Sequence, residues 1–246
     1  MCMSFDVIGP LTKNVGDAKY IFDIIKGHDN FDTTTKIFEG DKIKNNYVVG
    51  LVDVDKFAMP EIAKLIKDKT EAFAKKYGCK IKKVSLPLDI LLETYYLLVY
   101  VEFFSTTRKY DGRRFGKRIE DAAGQEVLRR IFGGSEISKA EYKGRYYYEA
   151  LKAKQYIKNK FLELFENESI DLIVLPTVPR TAHKIGEDIS VEEMYAYDIF
   201  TTPANIAGIP GISVPAGQID KKQIGLQILA PHFCEERLFD CGQKFE

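Results

Sequence analysis

The sequence predicts an α/β domain, and three stretches of its 246 residues carry that expectation. A valine-rich run, Tyr47 to Val54, is followed by a proline-led helical period and a second strand-like stretch, Lys80 to Leu86, with Ile81, Val84 and Leu86 as its apolar members. That order is a crossover unit, for which parallel pairing of the two strands is the default. A long helical middle then separates these from three later runs with strand composition: Ile170 to Leu175, Gly211 to Pro215 and Ile224 to Leu229. With 45% hydrophobic residues the chain has ample apolar side chain for a core.

Each element has a local reason. Asn14, with Asp17 three residues on, suits a helix N-terminus; Ala18, Ile21, Phe22 and Ile25 then share one face, and Gly27 can end the helix. A polar connector, His28 to Asn46, leads to the first strand, whose loose alternation predicts burial on at least one side. Pro60 fits a first helical position, where its missing N–H costs nothing; Ile62, Leu65, Ile66, Phe73 and Tyr77 keep the helical period, and Gly78 marks the exit.

Residues 89 to 106 are apolar nearly all round and predict a buried helix. Gly133 and Gly134 look like a stop for a helix ending at Ile131 or Phe132, with Ser135 and Ser138 at the start of the next. Residues 136 to 166 mix lysine and glutamate with Tyr146, Tyr147, Leu151, Ile157, Phe161, Leu164 and Phe165, as a long amphipathic helix does. Gly217 to Lys222 resembles a turn between the last two strands, and a short helix from Glu235 closes the chain. With no internal repeat or low-complexity linker, one domain over residues 1–246 is the simplest division.

Composition narrows the function classes. Lysine plus arginine (36) equals aspartate plus glutamate (36), so the whole-molecule field offers no general attraction for a polyanion. Cys2, Cys79, Cys234 and Cys241 form no CxxC pair, which argues for reduced thiols rather than a zinc ribbon or redox motif. The apolar run from Tyr95 to Phe104 is interrupted by Glu102 and too short to span a bilayer, and the N-terminus does not resemble a signal peptide. The expectation is a cytoplasmic protein with no membrane partner.

A hydrolase needs an activated nucleophile, and Ser135 after two glycines is the obvious candidate; the capping explanation accounts for it better. The loop from Arg108 to Arg118 concentrates cations around Tyr110 and Phe115, a composition that can hold phosphates and stack bases. With zero net charge, a solvated turn with both aromatics packed inward is preferred. His28, His183 and His232 have no partner at metal-ligand spacing and are expected on the surface or in loops; no metal site is predicted. The dense Gly and Pro punctuation from Pro203 to Gly217 lets backbone approach a ligand or another strand closely, so this segment could wall a pocket or form a tight structural turn.

Several ordered blocks carry a resemblance: Ser4 to Thr12, Gly27-His28-Asp29, Arg108 to Arg118, Val127 to Phe132, Asp171 to Pro176, Met194 to Asp198, Thr201 to Gly217 and Ile224-Gly225-Leu226-Gln227. Together they resemble the amidase-signature family. The Tyr-Asp-Gly loop and the Leu-Arg-Arg-Ile segment look like its tRNA-dependent branch, the A subunits of glutamyl-tRNA(Gln)/aspartyl-tRNA(Asn) amidotransferases. The resemblance implies the C-terminal half of that α/β fold, a mixed sheet sandwiched between helices. It also implies glutamine as the ammonia donor, with Tyr96, Arg130 and Asp198 at the positions that recognise it. Their chemistry agrees: a guanidinium pairs with an α-carboxylate, a carboxylate takes an α-ammonium, and a phenol adds a hydrogen bond.

The family's catalytic lysine and two serines match nothing here, so no catalytic residue is assigned and the chain by itself is expected to be inactive. Its opening methionine suggests a separately encoded or truncated half, poorly soluble alone and paired with a complementary N-terminal half. The resemblance further implies B and C subunits as partners and contact with the mischarged tRNA only through the complex. No cofactor is expected in this chain; ATP and magnesium belong to the B subunit. A non-catalytic amidase-like interaction module and half of a general amidase are the rival readings.

Overall fold

The computed structural model describes residues 2–33, 35–37, 42–110, 112 and 114–246, with backbone only at Glu120. The first helix, α1 (Val15–Ile25), begins as its sequence directs: the Asp17 N–H donates to the Asn14 side-chain oxygen at 2.8 Å. Val15 and Ala18 are buried, whereas Ile21, Ile24 and Ile25 remain exposed, so the predicted apolar face is only partly covered. Strand β1 (Val48–Val52), helix α2 (Pro60–Tyr77) and strand β2 (Lys80–Val84) form the expected crossover, with β1 and β2 parallel. Pro60 occupies the first turn of α2, and Gly78 ends it at φ 67°, a left-handed conformation that glycine adopts without Cβ strain.

The middle of the chain supplies α3 (Leu91–Thr107), the short α4 (Ile119–Ala122), α5 (Gln125–Ile137) and α6 (Arg145–Leu162), the last continued by a π-helical turn at Glu163–Asn167. Strand β3 (Leu172–Pro176) follows, then α7 (Val191–Ala196), α8 (Thr202–Ala207), the hairpin β4 (Gly211–Ile219) and β5 (Lys222–Leu229), and α9 (Glu235–Phe245). The five-stranded sheet runs β2-β1-β3-β5-β4, parallel at β2-β1 and β1-β3 and antiparallel at β3-β5 and β5-β4. This mixed sheet between helical layers is the architecture expected. The hairpin strands run longer than predicted and meet at Asp220 and Lys221, both at positive φ, which lets a two-residue turn match the strand twist.

Strand β3 shows why the two helical layers stay apart. It is buried throughout, and successive side chains alternate between faces. Ile173 and Leu175 join a core with Leu98 of α3, Ile157 and Phe161 of α6 and Ile206 of α8. Leu172 and Val174 join a second core with Val15 of α1, Ile62 and Ile66 of α2 and Leu238 of α9.

Three local expectations need correction. Gly133 and Gly134 do not stop a helix; both lie inside α5, and neither Ser135 nor Ser138 caps the following helix. They permit a close crossing instead. A Cβ at Gly134 would lie 2.0 Å from the Tyr100 carbonyl oxygen, and one at Gly133 would lie 2.5 Å from the Tyr100 ring, so α5 rests directly on α3. The helix predicted over 136 to 166 is broken: α5 ends at Ile137, and Lys143 and Gly144 take positive φ before α6 starts. Tyr110 and Phe115, expected to pack inward, are 41% and 63% exposed; Asp111 and Arg113 of that loop lie outside the described residues.

Among the described residues no helix is long and apolar enough to cross a membrane. The four cysteines are free thiols.

Candidate ligand-binding site

Three elements bring Tyr96, Arg130 and Asp198 to one place. Tyr96 stands on α3, Arg130 on α5, and Asp198 in the 3-10 turn Tyr197–Ile199 that extends α7. The close α3–α5 crossing sets the first pair. Gly134 meets Tyr100, and one turn earlier on each helix the Arg130 guanidinium lies 5.9 Å from the Tyr96 ring centre. A cation over an aromatic face is attracted by the ring quadrupole.

The third residue is placed from two sides. Ser190 and Glu193 form a reciprocal capping box that starts α7. At the other end, Gln227 of β5 donates from Nε2 to the Phe200 carbonyl at 2.6 Å, tying the turn that carries Asp198 to the sheet. The Tyr96 hydroxyl donates to Asp198 Oδ2 at 2.6 Å, a bond between residues 102 positions apart. Burial raises the Tyr96 phenol well above its ordinary value and the Asp198 carboxylate raises it further, so the hydroxyl stays protonated as a donor.

Four residues not singled out from the sequence complete the cluster. Tyr195 stacks on Tyr96, with ring centres 4.0 Å apart and planes at 19°. Its hydroxyl donates to Glu126 Oε1 at 2.9 Å and shares a 2.6 Å hydrogen bond with the Tyr100 hydroxyl. Glu126 Oε1 also accepts from Arg130 Nε at 3.0 Å, and Oε2 accepts from Arg129 at 2.5 Å. Burial pushes the Glu126 carboxyl up, but the bonds from Arg130 and Tyr195 outweigh it and hold the group below the usual carboxylate range.

Spacing could have flagged them. Glu126 and Arg130 are four apart on one helix, Tyr96 and Tyr100 four apart on another, and Tyr195 and Asp198 three apart. The arrangement offers a guanidinium and a carboxylate on either side of one phenol, with an aromatic wall behind it. Groups of opposite charge at fixed separation can hold both ends of a zwitterion.

A recess of about 270 Å³ lies away from this cluster, lined by Phe161, Leu162, Phe165, Ile209 and Pro231 together with Lys158, Glu166 and His232. Its mainly apolar lining suits hydrophobic contact. Ile209 belongs to the Gly/Pro-rich segment, which therefore does wall a recess. Asn205 of the same segment donates to the Phe5 carbonyl at 2.8 Å and anchors the N-terminal stretch. His28, His183 and His232 are exposed, and among the described residues no group of His, Cys, Asp or Glu could hold a metal ion.

A family model described as Amidase matches residues 1–239. The chain belongs to the amidase family. It is 49% identical to the A subunit of glutamyl-tRNA(Gln) amidotransferase from Methanococcus maripaludis and 46% identical to that from Methanocaldococcus jannaschii, in each case over 100% of this chain and 57% of the relative. Its fold superposes on the crystal structure of the corresponding Thermotoga maritima protein, also a glutamyl-tRNA(Gln) amidotransferase A subunit, with a TM-score of 0.76 at 31% identity, covering 96% of this chain and 51% of that one. A bacterial aryl acylamidase of the amidase-signature family shares the fold, with a TM-score of 0.78 at 17% identity. This amidase-family chain thus spans about half the length of the relatives it matches.

Proposed function

We propose that the chain is the glutamine-binding half of the glutaminase component of a tRNA-dependent amidotransferase. The single observation that supports this most is the Tyr96–Asp198 hydrogen bond beside the Arg130 guanidinium. Arg130 suits the α-carboxylate of free glutamine, Asp198 its α-ammonium, and the side-chain amide then points away toward the reacting groups. A complementary half, on the same or a separate polypeptide, supplies the serine nucleophile and its lysine. Hydrolysis releases glutamate and ammonia.

In this proposal B and C subunits complete the assembly. The ammonia amidates Glu-tRNA(Gln), as the names of the relatives favour, or Asp-tRNA(Asn), with ATP and magnesium handled by the B subunit. The mischarged tRNA meets this chain only through the complex, in the cytoplasm.

Ammonia release from glutamine, assayed with and without the complementary half, tests the proposal. Activity is expected only with both, and release by this chain alone would contradict it. In the active assembly, Arg130→Ala and Asp198→Ala are each expected to raise the glutamine KM by about a hundredfold, the scale of losing a charged partner. An unchanged KM would remove them from the binding role.

The exposed Tyr110 and Phe115 in a basic loop favour a second reading, a module that contacts RNA directly. That reading predicts salt-sensitive tRNA binding by the isolated chain, weakened by Lys109→Ala and Lys117→Ala.

A further inference from the structure

Arg130 is held in an unusual manner for a surface ion pair. Its partner Glu126 sits four residues earlier on α5 and accepts from Nε alone, at 3.0 Å, rather than from the two-nitrogen fork that a carboxylate prefers. The terminal nitrogens of Arg130 make no hydrogen bond among the described residues. Glu126 Oε1 is shared with the Tyr195 hydroxyl, and Tyr195 is stacked on Tyr96. Its other oxygen is taken by Arg129. One carboxylate therefore fixes the rotation of the Arg130 side chain and the position of the ring that backs Tyr96, while leaving the fork of Arg130 available.

Resting on the glutamine reading above, we infer that Glu126 is a positioning residue that grips Arg130 by its Nε and presents the terminal guanidinium nitrogens to the α-carboxylate of the substrate. The opposite role, a stand-in that occupies Arg130 and must be displaced, would place the carboxylate across the terminal nitrogens, and it would spend neither oxygen on Arg129 and Tyr195. Asp198 faces the other end of the substrate and is held by a different donor, Tyr96. Glu126 thus governs recognition of the carboxylate end, and Asp198 that of the ammonium end.

The test uses the chain assembled with its complementary half. Glu126→Ala is expected to raise the glutamine KM by about tenfold, the scale of one charge-assisted hydrogen bond, with kcat within about twofold. Glu126→Gln keeps an acceptor for Nε but loses the charge, and is expected to fall between Glu126→Ala and the parent. Hydrolysis of 4-aminobutanamide, which is glutamine without its α-carboxylate, is expected to keep its kcat/KM in Glu126→Ala, because no group remains for Arg130 to bind. The double variant Glu126→Ala/Arg130→Ala is expected to be no worse on glutamine than Arg130→Ala alone.

A lower or unchanged glutamine KM in Glu126→Ala overturns the inference, as does an equal loss on both amides, the signature of a merely structural role. If Arg130→Ala itself leaves the glutamine KM unchanged, the glutamine reading fails. If Arg130→Ala raises KM and Glu126→Ala does not, only the role of Glu126 falls.

Discussion

Asp171 and Glu126 are both carboxylates held by two basic side chains, and their differences separate a structural bolt from a candidate ligand site. Asp171, at 9% side-chain exposure, joins three distant parts of the chain. Its Oδ2 accepts the Val48 N–H at 2.9 Å, and its Oδ1 pairs with Lys44 and with Arg237 of α9 at 3.5 Å. Glu126, at 35% exposure, takes both cations from its own helix. The first arrangement uses its donors to join β1, β3 and α9. The second leaves the fork of an arginine open beside aromatic rings and a second carboxylate. Partial exposure also means that the Glu126 pairs contribute little to stability in water.

The largest effect expected from this contrast is on folding. Asp171→Ala leaves the Val48 N–H without its acceptor and breaks a mostly buried ion pair, so urea unfolding is expected to show a loss of about 3 kcal/mol, with the glutamine KM of the assembled protein unchanged. A smaller loss than that of Glu126→Ala would reverse the assignment of the two carboxylates. Gly134→Ala comes next and is expected to move both readouts. The added methyl collides with the Tyr100 carbonyl, costs about 2 kcal/mol as overpacking does, and raises the glutamine KM by shifting Arg130 away from Tyr96. Loss of stability without a change in KM would show that the α3–α5 crossing does not set the site. Tyr96→Phe is the smallest: removing one hydroxyl from Asp198 is expected to change stability by about 1 kcal/mol and KM by a few-fold. No change in either would show the 2.6 Å bond to be incidental.

Much of the architecture was legible because its causes are local. Asn14 capping, the Pro60 start and Gly78 exit of α2, and the β1-α2-β2 crossover all follow from side chains within a few residues of one another. The glycine pair in α5 misled for the same reason. By local rules two adjacent glycines end a helix, yet the contact that requires them is Tyr100, more than thirty positions earlier. Tyr110 and Phe115 fail in the opposite sense: aromatics are expected inward, but a segment so rich in cations stays in water and carries its rings with it.

The candidate site divides along the same line. The resemblance to the amidase-signature family pointed to Tyr96, Arg130 and Asp198, and their chemistry agreed, since a guanidinium, a carboxylate and a phenol suit an amino acid zwitterion. Helical spacing hints at Glu126 and Tyr195 singly, but their meeting, a hydrogen bond between residues 69 positions apart, became visible only in three dimensions. Side-chain chemistry and short-range periodicity act along the backbone and can be followed in one dimension. How a carboxylate shares its oxygens, and which nitrogens of an arginine stay open, depends on the approach of separate helices, which no local pattern encodes.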